Sequence, residues 1–149
     1  MKLSVLENLY AAKPLEESLS IITGLGVHTV EIGAGGYPGK AHCNPEELLA
    51  DKAKFNAFVD TFKKYDVEIC ALAAHGNPLH PDAKTAAAYD ADFKNAVLLA
   101  EKLGIDPFEI RKRNIPREGE IMPAYYGQEN TSCALEACLE SVRRRIGWD

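Results

Sequence analysis

Four residues combine a reactive type with a telling position: Glu31, His75, Asn77 and His80. Glu31 interrupts the apolar run Thr29-Val30-Glu31-Ile32-Gly33. In a strand, Val30 and Ile32 would fall on the face opposite to it. A carboxylate turned into an apolar interior must be paired, hydrated or bound to a metal. Glu31 is therefore read as the catalytic carboxylate, with a structural ion pair as the equal alternative. His75, Asn77, His80 and Asp82 crowd the short stretch HGNPLHPD. Neutral imidazole and carboxylate are ligands for zinc, manganese and similar divalent ions. His75 is accordingly read as a metal ligand, and Asn77 and His80 as polar contacts to a substrate. Two histidines five apart do not make a site, because a catalytic metal takes three protein ligands. His42 could reach the same mouth, and a plain surface or hydrogen-bonded histidine explains both His80 and His42 at least as well. The glycine run from Gly33 to Gly39 has neither phosphate-loop spacing, so it reads as a flexible substrate loop.

Such residues need a scaffold, and the chain supplies strand–helix alternation. Residues 2–6 are apolar enough for a first strand. Pro14, Glu16 and Glu17 then open a helix on which Leu15, Leu19, Ile22 and Leu25 recur at helical spacing. Residues 29–33 form the second strand. The helix after it starts at Asn44 and Pro45, with Glu47 completing a capping box, and carries the stripe Leu48, Phe55, Phe58, Val59, Phe62. Residues 67–74 (VEICALAA) are nearly all apolar or small, the pattern of a strand covered on both faces. A third helix runs from Thr85 or Asp90 to Leu103, with Phe93, Ala96, Val97, Ala100 and Leu103 inward. Three strand–helix units imply parallel strands and right-handed crossovers. The active site of such an array lies at the C-terminal ends of the strands, where His75 sits.

Beyond residue 105 the character changes. Residues 107–114 are too charged for a buried fourth strand, and 117–127 have the Pro and Gly content of a loop. A last helix over 132–146 places Leu135, Cys138, Leu139, Val142 and Ile146 on one face, with Arg143 to Arg145 at its negative end and Gly147 closing it. All six arginines lie after residue 105, and ten of the eleven lysines before it. Both cations serve a solvated surface, so the switch marks a domain boundary, a functional tail or a join between sequences of different origin. The predicted organisation is 1–105 as a partial (β/α) barrel and 106–149 as a loop plus helix.

The 149 residues carry a net charge of −5, which argues against nucleic acid or an anionic membrane as partner. No apolar run approaches the ~18 residues of a membrane span. Four cysteines, Cys43, Cys70, Cys133 and Cys138, lack metal-site spacing and read as structural thiols. A cytoplasmic setting is expected.

Two resemblances complete the reading. Val30-Glu31-Ile32-Gly33, Ala71 to Pro81 with its His-Gly-Asn-Pro-Leu-His-Pro core, and Ala100-Glu101-Lys102-Leu103-Gly104 resemble the sugar-phosphate isomerases/epimerases of the xylose-isomerase-like barrel superfamily. The resemblance covers residues 1 to about 105. It implies a TIM-type barrel, a divalent metal (Mn, Zn or Mg), and proton transfer beside the carbonyl of a sugar or sugar phosphate through a metal-stabilised enediolate. It places His75 at a metal-ligand position of the related endonuclease IV branch. The remaining ligands of that family come from later strands, and a full barrel needs ~250 residues. The expectation is thus three opening units, inactive as an isolated monomer, whose open edges favour a homo-oligomer.

The stretch from Leu103 to Asn114, then Leu135-Glu136-Ala137-Cys138-Leu139-Glu140 and Gly147-Trp148-Asp149, resembles the molybdenum-binding subunit of xanthine dehydrogenase and aldehyde oxidase. That stretch is scaffold in the family, so no site residue transfers and molybdopterin is not expected. The chain reads as a chimera joined between Leu103 and Asp106, by recombination or by a gene-model error. A non-catalytic interaction module or a molybdenum hydroxylase fragment are the alternatives.

Overall fold

The structure is a computed structural model that describes residues 3–122 and 127–148. It divides into two compact units, Met1–Ile105 and Asp106–Asp149, here called unit 1 and unit 2.

Unit 1 is α/β. In chain order it comprises β1 (Val5–Leu6), a 3-10 turn (Glu7–Tyr10), α1 (Leu15–Gly24), β2 (Thr29–Gly36), α2 (Pro45–Ala50), α3 (Lys52–Lys64), β3 (Glu68–His75) and α4 (Ala83–Lys102). The strands form one parallel sheet in the order β1-β2-β3. Parallel neighbours need long crossovers, and the helices provide them. Val30 and Ile32 of β2, with Ala34, are fully buried against Leu19, Ile22, Leu48, Phe58, Phe62, Ala96 and Leu99 of the helices. Burial of this apolar surface holds the helices to one face of the sheet.

Local structure departs from the sequence expectation at five places. β1 is two residues long rather than five. β2 runs on through the glycines, pairing Gly35 and Gly36 with Ala74 and His75, so part of the expected flexible loop is strand. The helix expected after Asn44 is broken at Asp51, whose extended backbone ends α2 and whose carboxylate accepts the Ala53 and Lys54 N–H groups that start α3. Asn44 does head α2, but its amide donates to Glu47 Oε1 at 3.0 Å, while its own Oδ1 is buried without a partner. β3 is half-buried along most of its length rather than covered on both faces, because the helices of unit 1 pack on one side.

The fifth departure is in α4. It starts at Ala83, capped by Asp82, and buries Ala96 and Leu99, whereas Phe93 and Val97 are 58% and 53% exposed. Val97 follows Ala96 and so points roughly 100° away around the helix. Ala96, Ala100 and Leu103 of the expected stripe do turn inward, while its Phe93 and Val97 edge faces solvent and Leu99 takes their place in the core.

Unit 2 contains α5 (Pro107–Asn114), the short antiparallel pair β4 (Ile121–Met122) and β5 (Gln128–Glu129), and α6 (Leu135–Ile146). The segment expected as a charged loop is therefore a helix. Asp106 caps it, accepting from the Phe108 and Glu109 N–H groups. Charge that excludes a buried strand does not exclude a helix with a solvated side. The expected loop over 117–127 includes β4, and its residues 123–126 lie outside the described residues. α6 begins three residues later than expected and ends at Gly147, whose φ of 63° is left-handed. It packs on α5 through its polar face. Lys112 Nζ lies 2.8 Å from Glu140 and 3.5 Å from Glu136, and Arg143 lies 3.6 Å from Glu109. The Phe108 and Trp148 rings meet at 5.3 Å. Among the described residues no helix is long and apolar enough to cross a membrane.

Candidate functional site

In a parallel sheet with right-handed crossovers, loops at the C-terminal strand ends converge on one edge. Glu31 and His75 meet there. Glu31 is level with Ala71, and His75 with Gly36. The side chains lean together until His75 Nε2 lies 4.0 Å from Glu31 Oε1. Both are open to solvent, His75 more than Glu31. Val30 and Ile32 bury against the helices, so Glu31 occupies the face they leave, as alternation requires.

The backbone beneath this pair is tightly held. The Tyr37 N–H donates to the His75 carbonyl at 2.8 Å. Gly36 has a φ of 62°, and a Cβ there would sit 1.9 Å from that same carbonyl oxygen, so only glycine fits. Asp92 of α4 accepts the Gly36 N–H at 2.9 Å and pairs with Lys40 at 2.5 Å. Partial burial pushes the Asp92 carboxyl up, but Lys40 and the Gly36 N–H outweigh it and hold it below the ordinary value. The Tyr37 and Tyr89 rings lie 5.6 Å apart, and their hydrogen bond pushes the Tyr89 phenol up. Gly76 lies against the Tyr89 ring, where a Cβ would come within 2.2 Å.

Asn77 and His80 are spent on the loop itself. Asn77 Oδ1 accepts the Leu79 N–H at 3.0 Å, and His80 Nδ1 accepts the Asp82 N–H at 3.1 Å. Asp82 in turn caps α4 through Thr85, accepting from its N–H at 2.8 Å and its hydroxyl at 2.6 Å. These are local turn devices. Among the described residues no hydrogen bond joins Asn77 or His80 to Glu31 or His75.

The metal implied by the barrel resemblance does not fit the residues present. Glu31 and His75 offer two donors, a catalytic metal takes three, and the described residues contain no group of three His, Cys, Asp or Glu side chains placed to hold one. No step is assigned to a metal.

Sequence reasoning missed the most enclosed polar pair of unit 1. Glu7, in the turn after β1, and His42, before α2, meet at 2.7 Å with side chains only 2% and 8% exposed. His42 donates from Nδ1 to Glu7 Oε1 and from Nε2 to the Lys13 carbonyl at 2.6 Å. The Lys13 carbonyl oxygen can only accept, so Nε2 carries a hydrogen. Cys43 is buried next to it. Its thiol is pushed up to about 12, by loss of hydration first and by the Glu7 charge second. A separation of 35 positions between Glu7 and His42, and a glutamate directly after a strand, leave no signal in sequence. A cleft of about 610 Å³ lined by Leu3, His28, Thr29, Lys63 and Asp66 opens at the other, N-terminal ends of β2 and β3, away from Glu31 and His75.

No protein-family model matches the chain, and no solved structure matches it. Over 81 residues, 54% of the chain, it is 36% identical to the uncharacterized protein YfiH of Bacillus subtilis (strain 168), of which the match covers 26%. Over 50 residues, 34% of the chain, it is 46% identical to the putative xanthine dehydrogenase molybdenum-binding subunit XdhA of Escherichia coli (strain K12). The xanthine dehydrogenase molybdenum-binding subunit of Escherichia coli O157:H7 matches to the same extent. The chain spans about a quarter of the first relative and 6% of each subunit.

Proposed function

We propose that unit 1 is the opening of a sugar or sugar-phosphate isomerase/epimerase-type barrel, that unit 2 is a scaffold piece of molybdenum-hydroxylase type, and that the chain alone performs no turnover. The observation that carries the first part is the meeting of Glu31 and His75 at the C-terminal edge of a parallel sheet, with Val30 and Ile32 buried behind them. In that reading Glu31 is the carboxylate that would accept a proton beside a sugar carbonyl, His75 faces the same space, and Asn77 and His80 shape the loop. Among the described residues Glu31 and His75 stand without a third donor, one short of the three a catalytic metal takes. The second part is supported by the similarity to the molybdenum-binding subunits and by the division of the chain at Ile105. Molybdopterin is not expected, since 6% of such a subunit cannot enclose the cofactor.

Calorimetric titration with manganese and zinc tests this, alongside an isotope-exchange assay with ketose and aldose phosphates in deuterated water. The expected result is no stoichiometric binding and no exchange. Stoichiometric binding abolished in His75→Ala, with exchange abolished in Glu31→Gln, would make unit 1 a working enzyme. Copurified molybdopterin would instead turn the reading toward the hydroxylase.

A further inference from the structure

α6 is amphipathic and faces the wrong way for a helix folded against its own chain. Its polar face is the packed one, with Glu136, Glu140 and Arg143 bound to Lys112 and Glu109 of α5. Its apolar stripe is turned to solvent, where Leu135, Val142 and Ile146 are 54%, 49% and 60% exposed. No residue of the helix is buried. Cys138 is exposed on the same stripe and Leu139 is half-buried.

We propose that this stripe is an interface with a second copy of the chain, formed by antiparallel packing of α6 on α6. The spacing is self-complementary. Full antiparallel overlap sets Leu135 against Ile146 of the second copy and Leu139 against Val142, so every large apolar residue of the stripe meets another. Charge follows the same symmetry. The acidic residue in the first turn is Glu136, and Arg143, Arg144 and Arg145 occupy the last. Antiparallel overlap brings the arginine-bearing turn of each copy beside the acidic turn of the other and opposes the two helix dipoles. Parallel packing would set arginines against arginines. An anionic bilayer is the less suited occupant, because residues 106–149 carry eight acidic side chains against seven basic ones. A 12-residue helix buries less than the ~800 Å² per partner of a standard interface, so the association is weak and dependent on concentration. The inference stands on unit 2 alone and does not rest on the isomerase reading.

Light scattering on the full chain over a concentration series is the first test. The expected mass rises from the 16.3 kDa chain toward twice that value, and the rise is lost in the double variant Leu135→Asp/Ile146→Asp. Neither residue is buried, so the fold survives the change. Register is read by oxidative cross-linking in a chain whose Cys133 and Cys138 are replaced by Ser. Leu135→Cys chains mixed with Ile146→Cys chains are expected to form the mixed disulfide, and neither to cross-link with itself. A chain that stays monomeric throughout overturns the proposal. A dimer indifferent to the double variant overturns it too, as does cross-linking of Leu135→Cys with itself. Flotation with phosphatidylserine vesicles in the absence of dimer would assign the stripe to a membrane instead.

Discussion

Glu7 and His42 show how much a single buried pair can decide. Glu7 pairs with His42, which also holds the Lys13 carbonyl, so removing the imidazole strands both the carboxylate and that carbonyl. His42→Ala is expected to cost about 3–5 kcal/mol, measured as a drop in the urea midpoint of unit 1. Glu7→Gln keeps a hydrogen-bonding group in place and should cost clearly less; equal losses would count against a specific pair. Cys43 beside them gives a second residue-scale prediction. Its folded thiol, raised from 9.0 to about 12, stays protonated where an unfolded thiol ionises. The unfolded chain therefore releases a proton that the folded one keeps, so stability declines as pH rises from about 9 toward 12. Native Cys43 should resist iodoacetamide at pH 8 while exposed Cys138 reacts, as peptide mass mapping would show. Neither the pair nor the thiol's setting is visible in sequence, because contacts across tens of residues leave no periodicity. Glu31 and His75 were legible, since strand alternation and strand ends fix direction from local pattern alone.

At the scale of elements, existence was easier to read than phase. The strand runs, the Pro45 helix start and the Gly147 stop are all local signals, and the structure contains them. Which edge of the α4 stripe packs inward is set by its neighbours: Ala96 was expected inside and is, but Leu99 rather than Phe93 and Val97 completes the buried side. The break at Asp51 was missed for a related reason: an aspartate inside a helical pattern looks like a solvated residue until its carboxylate is seen capping α3. Asp51→Ala should remove that start signal and fray the first turn of α3, seen as faster amide exchange at Ala53 and Lys54 than at Phe58. Gly36→Ala is expected to be more severe. A methyl group 1.9 Å from the His75 carbonyl forces β2 away from β3 and separates Glu31 from His75. The chemical shifts of the two side chains would report the separation, and unchanged shifts would mean that the strand ends are more pliable than the geometry says.

The whole molecule is two bodies on one chain. The division at Ile105 coincides with the exchange of lysine for arginine after residue 105, which a solvated surface alone does not require. Unit 1 has its own sheet, its own apolar core and its own buried ion pair, so a chain ending at Ile105 is expected to fold alone. Its urea transition should match the first transition of the full chain, and loss of cooperativity on truncation would show that unit 2 props it up.

That independence also sets an order of events during synthesis. The chain is made from its N-terminus, and domains fold as units as they emerge. Every residue of unit 1 has been joined before the first residue of unit 2 is added. The core around Val30, Ile32 and Leu99 can therefore close before α6 has been made. Nascent-chain quality control would then meet the finished body of unit 1 before the exposed apolar stripe of α6.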